Sequence, residues 1–240
     1  MPQGPKSIAL TLTNVYETFS ISWPTVIEGV LHRVRKDVCD ERLRAWSIRV
    51  IDHCRLNLEV VGREHVANGA TYLIMSNHQS LYDIPVLFRV FGGNVRMITK
   101  KELFRVPVFG GALQQAGFIS IDRENRHSAV QSLEIAKKVV AEGTNVWIAP
   151  EGTRSLTGEL LPFKKGGFNL ALQAGLPVLP VTLRGTRDIL RAKGVRSSRG
   201  AEVKVTIHPP LSPADYESEG PRAGRARLMN DVREALARGL

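Results

Sequence analysis

The sequence predicts one α/β domain: a mixed, mostly parallel sheet of about seven strands with helices on both faces. Three observations carry that expectation. Short apolar runs alternate with helix-period segments along the chain, and no linker, internal repeat or low-complexity stretch divides them. With 43% hydrophobic residues, a chain of 240 residues can bury a large core. Several of the strand-like runs end in polar clusters, at the carboxyl edge where α/β sheets bind ligands.

The stretch 7–31 has only Glu17 and Glu28 as charged residues, is rich in Ser and Thr, and contains Pro24. A spanning helix of about 20 apolar residues is therefore not expected. Ile8, Leu10, Leu12, Val15, Tyr16, Phe19, Trp23, Val26, Ile27, Val30 and Leu31 suit a helix, broken at Pro24, that lies in a membrane interface. They suit equally a helix packed on the domain. There is no basic leader with a compact apolar core and a small-residue cleavage site, so no secretory signal is expected. In "ERLRAWSIRVIDHC" (41–54), Leu43, Trp46, Val50 and Ile51 share one face of an amphipathic basic helix. Residues 1–54 thus read as an N-terminal helical segment at a membrane interface, and 55–240 as the main domain.

Within that domain, strands are expected at 56–62, 71–77, 95–99, 117–121, 145–150, 178–183 and 202–208. Helices are expected at 83–91, across 106–116, and at 128–143, 167–175 and 222–238. The helix at 128–143 repeats Val130, Leu133, Ala136, Val139 and Val140 at helical spacing and meets Gly143 at its end.

A net charge of +10 calls for an anionic partner: nucleic acid, an acidic membrane or a phosphorylated substrate. Only 6% of residues are aromatic and no RNP, KH or helix-turn-helix signature is present, so nucleic acid is not expected. Cys39 and Cys54 form no CxxC pair and read as free thiols of a reducing compartment. The six histidines are scattered without zinc-type spacing, and no metal is expected.

"SNHQSLYD" (76–83) follows the apolar run Tyr72, Leu73, Ile74, Met75. On one continuous helix His78 and Asp83 would lie about 140° apart. They can meet if His78 sits on the loop leaving the strand and Asp83 opens the next helix, which Pro85 favours. The carboxylate would then fix the imidazole tautomer and leave the other nitrogen as a base. The alternative is that Asp83 only caps its helix. "APEGTRS" (149–155) repeats the arrangement: an apolar strand ends at Pro150, Gly152 permits a tight turn, and Arg154 offers a planar guanidinium to a phosphate. Lys100 and Lys101 end a third strand, Arg123 follows a fourth, and Lys164 and Lys165 precede a helix. Each alone reads as a solvated cation; together these clusters would make an anion-binding rim around a base.

The combination resembles the glycerolipid acyltransferase family, the one that includes 1-acylglycerol-3-phosphate acyltransferase. "NHQSLYD" matches its N-H-x-x-x-x-D block, "KKELFRVPVFG" with "GFISIDR" its second, "PEGTRS" its third and "LPVLPV" (176–181) its fourth. The resemblance covers roughly residues 55–185 and implies transfer of a fatty acyl group from acyl-CoA or acyl carrier protein to a hydroxyl of a phosphorylated glycerol such as lysophosphatidic acid. It implies no cofactor beyond that co-substrate. It gives His78 and Asp83 the catalytic roles and places Asn77, Ser80, Lys100, Lys101, Arg123, Glu151, Gly152, Thr153, Arg154 and Lys164 among the substrate-binding residues. Glu151 is expected to bond an acceptor hydroxyl or to position Arg154. Lys100 and Lys101 stay open as the cation beside the thioester oxygen. Leu81, Phe104, Val106 and Phe109 are candidates for an acyl channel or for plain core.

Between 184 and 199 six Arg and Lys residues stand against Asp188 alone. With the N-terminal segment they suggest a monotopic or peripheral protein on the cytoplasmic face of an anionic membrane. A soluble basic loop, or a binding module without catalysis, is the rival reading.

Overall fold

The structure, a computed structural model, describes residues 4–122 and 126–240, with backbone alone at 126–131 and 133. Two helices come first, α1 (Ile8–Val30) and α2 (Lys36–Cys54). Then follow β1 (Asn57–Val61), β2 (Leu73–Ser76), α3 (Asp83–Phe91), β3 (Val95–Lys100), α4 (Phe109–Gln115) and β4 (Ile119–Ile121). The chain continues through α5 (Arg126–Ala141), β5 (Asn145–Ile148), α6 (Gly166–Ala174), β6 (Val178–Arg184) and the short α7 (Thr186–Ile189). It ends with β7 (Glu202–Ile207), α8 (Ala214–Glu217) and α9 (Gly220–Gly239).

The expected seven strands form one sheet in the order β1-β7-β6-β2-β5-β3-β4, and only the β6/β7 pair is antiparallel. From β2 the chain crosses through α3 to β3 on one side; from β5 it crosses through α6 to β6 on the other. The order therefore reverses between β2 and β5. A crevice must open beyond their carboxyl ends, because the two crossovers diverge there.

Both faces are covered. β2 is buried along its whole length, and its alternate residues serve two cores. Ile74 joins Leu10 of α1, Leu43, Trp46 and Val50 of α2, and Phe88 of α3. Leu73 and Met75 join Phe168 of α6 and Leu228, Val232 and Leu236 of α9. Ala136 and Val140 of α5 belong to that second core, while the side chains of Val130 and Leu133 lie outside the described residues.

The N-terminus departs from expectation in one respect. Pro24 does not break the helix: α1 runs continuously through it. A mid-helix proline removes one N–H, leaving the Ser20 carbonyl without its helical partner. Ser20 is exposed, so water can satisfy that oxygen. Meanwhile the inner face is held by packing on α2 and α4, and by Trp46 Nε1 donating to Thr18 Oγ1 at 3.2 Å. Helix α2 also starts at Lys36 rather than 41, with Asp37 in its first turn where the helix dipole favours a carboxylate. Among the described residues no helix is long and apolar enough to cross a membrane.

Candidate active site

The loop leaving β2 and the start of α3 bring His78 and Asp83 together at the predicted crevice. His78 Nδ1 lies 2.7 Å from Asp83 Oδ2. The same oxygen accepts the backbone amides of Gln79 at 2.7 Å and Ser80 at 3.0 Å. Asp83 therefore curls back over the preceding loop, and Tyr82 occupies the cap position of α3, so the capping role is not the one observed. An ionised carboxylate only accepts, so Nδ1 carries the proton and Nε2 keeps its lone pair. Asp83 is fully buried, and the described residues leave its Oδ1 without a partner. The Trp147 indole of β5 stands edge-on to the imidazole, with centroids 5.6 Å apart and planes at 84°. Trp147 is fixed in turn by Nε1 donating to Ser76 Oγ at 2.9 Å.

The third block holds this loop from the other side. Glu151 Oε1 accepts the His78 amide at 2.8 Å, and the Ser155 amide donates to the His78 carbonyl at 2.8 Å. The other Glu151 oxygen accepts the Leu161 amide at 2.8 Å. Burial pushes the Glu151 carboxyl above the usual carboxylate range, and the two amides oppose that shift. This corrects the expectation for Glu151: its oxygens face backbone donors, so it braces two loops instead of reaching an acceptor hydroxyl or Arg154.

Two further expectations are corrected in the same way. Asn77 is buried and exchanges hydrogen bonds with Leu183, from Nδ2 to the carbonyl at 2.8 Å and from the amide to Oδ1 at 2.7 Å. It ties the end of β2 to β6. Ser80 is also buried, donating to the Leu190 carbonyl at 2.7 Å and accepting from the Tyr82 amide. Both shape the loop, and neither is exposed to a substrate.

A cavity of about 610 Å³ opens at His78. Lys100, Gly152, Thr153 and Arg154 stand at its wall together with the imidazole. Gly152 has φ +73°, a left-handed turn that sends the chain round toward Arg154. Neither Lys100 nor Arg154 has an ion-pair partner among the described residues. Lys101, in contrast, pairs with Asp122 at 2.6 Å, which raises its pKa, and lies outside the cavity wall. The strand ends at Lys100 and a 3₁₀ turn begins at Lys101, which separates the two lysines, and Lys100 is the one brought to the site. Lys164 is exposed and also away from this wall; only its amide takes part, donating to the Pro150 carbonyl at 2.7 Å. Arg123 lies outside the described residues.

Beyond the polar mouth the cavity runs into an apolar chamber walled by Ile21 of α1, Leu43 and Trp46 of α2, Phe88 of α3, and Leu113 of α4. Of the residues expected in a channel, Leu81 and Phe109 line it, while Phe104 and Val106 do not. The contribution of α1 and α2 was missed, since it depends on packing between helices distant in sequence from His78. Arg42 also reaches the chamber, but its guanidinium is held by Glu28 through two contacts of 2.5 and 2.7 Å. A base, the cations Lys100 and Arg154 and an apolar chamber in one cavity can bind an anionic head with an apolar chain and deprotonate a hydroxyl between them.

The chain is similar to known acyltransferases. A 1-acyl-sn-glycerol-3-phosphate acyltransferase of Brassica napus, BAT2, chloroplastic, is 36% identical over 177 residues, covering 72% of this chain and 51% of that protein. The 1-acyl-sn-glycerol-3-phosphate acyltransferase alpha of Homo sapiens is 34% identical over 179 residues, covering 72% of this chain and 63% of that protein. This chain therefore spans between half and two thirds of the length of these relatives. The solved 1-acyl-sn-glycerophosphate (LPA) acyltransferase PlsC from Thermotoga maritima shares the fold, with a TM-score of 0.77 over 97% of this chain and 95% of that one at 24% identity. A family model described as Acyltransferase matches residues 57–184, more than half of the chain, and that span contains His78, Asp83, Lys100, Glu151 and Arg154; the chain belongs to the acyltransferase family.

Proposed function

We propose that this chain is a 1-acylglycerol-3-phosphate O-acyltransferase that moves a fatty acyl group from acyl-CoA or acyl carrier protein to the free sn-2 hydroxyl, giving phosphatidic acid. The observation that carries the reading is His78, oriented by Asp83 at 2.7 Å, standing at the junction of a cationic mouth and an apolar chamber. The names of the relatives support the same acceptor.

In the proposed reaction His78 Nε2 takes the hydroxyl proton as the acceptor oxygen attacks the thioester carbon. Asp83 stabilises the imidazolium that results. The carbon–sulfur bond then breaks, and His78 returns its proton to the departing thiolate. Lys100 or a backbone amide steadies the oxyanion between these steps, and Arg154 holds the acceptor phosphate. No acyl-enzyme and no further cofactor enters the balance.

The exposed apolar residues of α1 support a membrane-surface location: Leu12 is 61%, Tyr16 70% and Trp23 58% exposed. The buried free thiols Cys39 and Cys54 favour its cytoplasmic side.

The deciding experiment gives the purified protein one labelled acyl donor, CoA-linked or carrier-linked in turn. The acceptors offered are lysophosphatidic acid, glycerol 3-phosphate, a neutral lysophospholipid and an amino-acid lipid. Preference for lysophosphatidic acid is expected. Equal use of a neutral acceptor overturns the acceptor, and no acyl transfer to any of them overturns the activity.

A further inference from the structure

A second cavity, of about 260 Å³, lies between the approach to α1 and the loop after α7. Lys6, Arg191 and Arg196 line it against the single carboxylate of Asp188. None of the three cations has an ion-pair partner among the described residues. Unpaired cations grouped around a recess repel one another, and an anion between them relieves that repulsion.

The walls are held in place before any ligand arrives. Ser7 and Ser197 exchange both backbone hydrogen bonds, at 2.8 and 3.1 Å. The Ser198 amide donates to the Ile189 carbonyl at 2.8 Å, and the Gly194 amide to the Arg191 carbonyl at 2.8 Å. Ser80, from the His78 loop, anchors Leu190. A frame fixed this way loses little entropy on binding.

Position then selects the anion. Lys6 stands two residues before Ile8, where the exposed apolar stripe of α1 begins. Ile8, Leu12, Tyr16, Trp23 and Val30, each between 53% and 74% exposed, fall within about 80° of the helix circumference. Val195, 65% exposed, brings a further apolar side chain to the rim of the cavity itself. An apolar stripe that ends at a basic recess matches the layering of a bilayer surface, with acyl chains beside headgroup phosphates.

We propose that this recess is a second phosphate site, separate from the cavity at His78, which takes the headgroup of an anionic phospholipid while the α1 stripe lies in the membrane surface. The proposal rests on the membrane-surface location argued above and is independent of the acyl-transfer chemistry.

The test is equilibrium binding of the whole chain, without acyl donor, to phosphatidylcholine vesicles and to vesicles that also contain phosphatidylglycerol. The recess variant combines Lys6→Gln, Arg191→Gln and Arg196→Gln. A control removes the same charge from the far side of the sheet with Lys138→Gln, Arg222→Gln and Arg238→Gln. The recess variant is expected to bind anionic vesicles roughly 100-fold more weakly, about fivefold per cation, and neutral vesicles as before. The control should lose no more than about threefold through the general field. Equal losses in the two variants overturn the proposal in favour of diffuse charge. If the wild type ignores both vesicles, the membrane location falls together with the recess; if it binds them and the recess variant is unaffected, only the recess falls. Duplex DNA that binds the wild type more tightly than the anionic vesicles do, and loses that advantage with the recess variant, overturns the lipid assignment.

Discussion

Glu151 holds the His78 amide at 2.8 Å, so the third sequence block sets the position of the base supplied by the first. Its second oxygen holds the Leu161 amide, and neither donor has another partner in view. Glu151→Ala therefore leaves two partly buried N–H groups without a protein partner, at about 1–3 kcal/mol of stability. It also lets the His78 loop drift, and kcat should fall about 10²-fold with little change in KM. Steady-state kinetics and a urea melt check both. Unchanged kcat in a folded Glu151→Ala protein would show that the brace is irrelevant to catalysis.

Removing the base has a different signature. His78→Ala should lower kcat by about 10²–10⁴ with stability nearly intact, because the imidazole packs edge-on to Trp147 at the cavity wall. Asp83→Asn should do the same and also cost stability. Its buried oxygen accepts from His78 Nδ1 and two amides, and an amide group in one rotamer turns a donor toward them. A His78→Ala protein as fast as wild type at saturating donor and acceptor would refute the general base.

The two cations should act on different steps. Arg154→Ala is expected to raise KM for phosphate-bearing acceptors about tenfold and to leave a neutral acceptor unaffected, whereas Lys100→Ala is expected to lower kcat about tenfold or more for phosphate-bearing and neutral acceptors alike. Lys101→Ala, which removes only a partly exposed ion pair with Asp122, should change kcat and KM less than either. An acceptor series run on all three variants separates these outcomes, and equal effects at Lys100 and Lys101 would contradict the placement of Lys100 at the mouth.

The fold was legible where apolar pattern alone decides it. Seven strands could be read because runs such as "YLIM" and "NVWI" have no competing helical period. Continuity of α1 through Pro24 could not, because the support comes from α2 and α4 rather than from local propensity. In the site, His78 and Asp83 were readable since five residues of loop suffice to join them. Asn77, Ser80 and Glu151 were misread for one shared reason. Their partners are backbone groups of Leu183, Leu190, His78 and Leu161, and a sequence does not display which amides a polar side chain will meet. Lys100 and Lys101 were inseparable until Asp122, on the neighbouring strand's exit, claimed one of them. The chamber was half seen: Leu81 and Phe109 lie close to the motifs, but Ile21 and Leu43 reach it only through helix packing.

His208 should govern stability in mild acid. It follows β7, and its Nε2 lies 2.9 Å from Thr182 Oγ1, whose hydroxyl donates to the Leu236 carbonyl at 3.0 Å. Thr182 can then only accept from Nε2–H, and a second proton would have to be placed on the other ring nitrogen of a side chain that is buried. Burial first, then the nearby charges of Arg238 and His65, lowers the His208 pKa from 6.5 to about 4. Between those values the unfolded chain binds a proton that the folded chain refuses. Stability is therefore complete above the unfolded value and declines as pH falls toward the folded one, by about 3 kcal/mol. His208→Gln keeps an N–H for Thr182 and cannot titrate, so its stability should be flatter across the same window. Urea denaturation of both proteins at a series of pH values measures the difference, and parallel curves would place the acid sensitivity elsewhere.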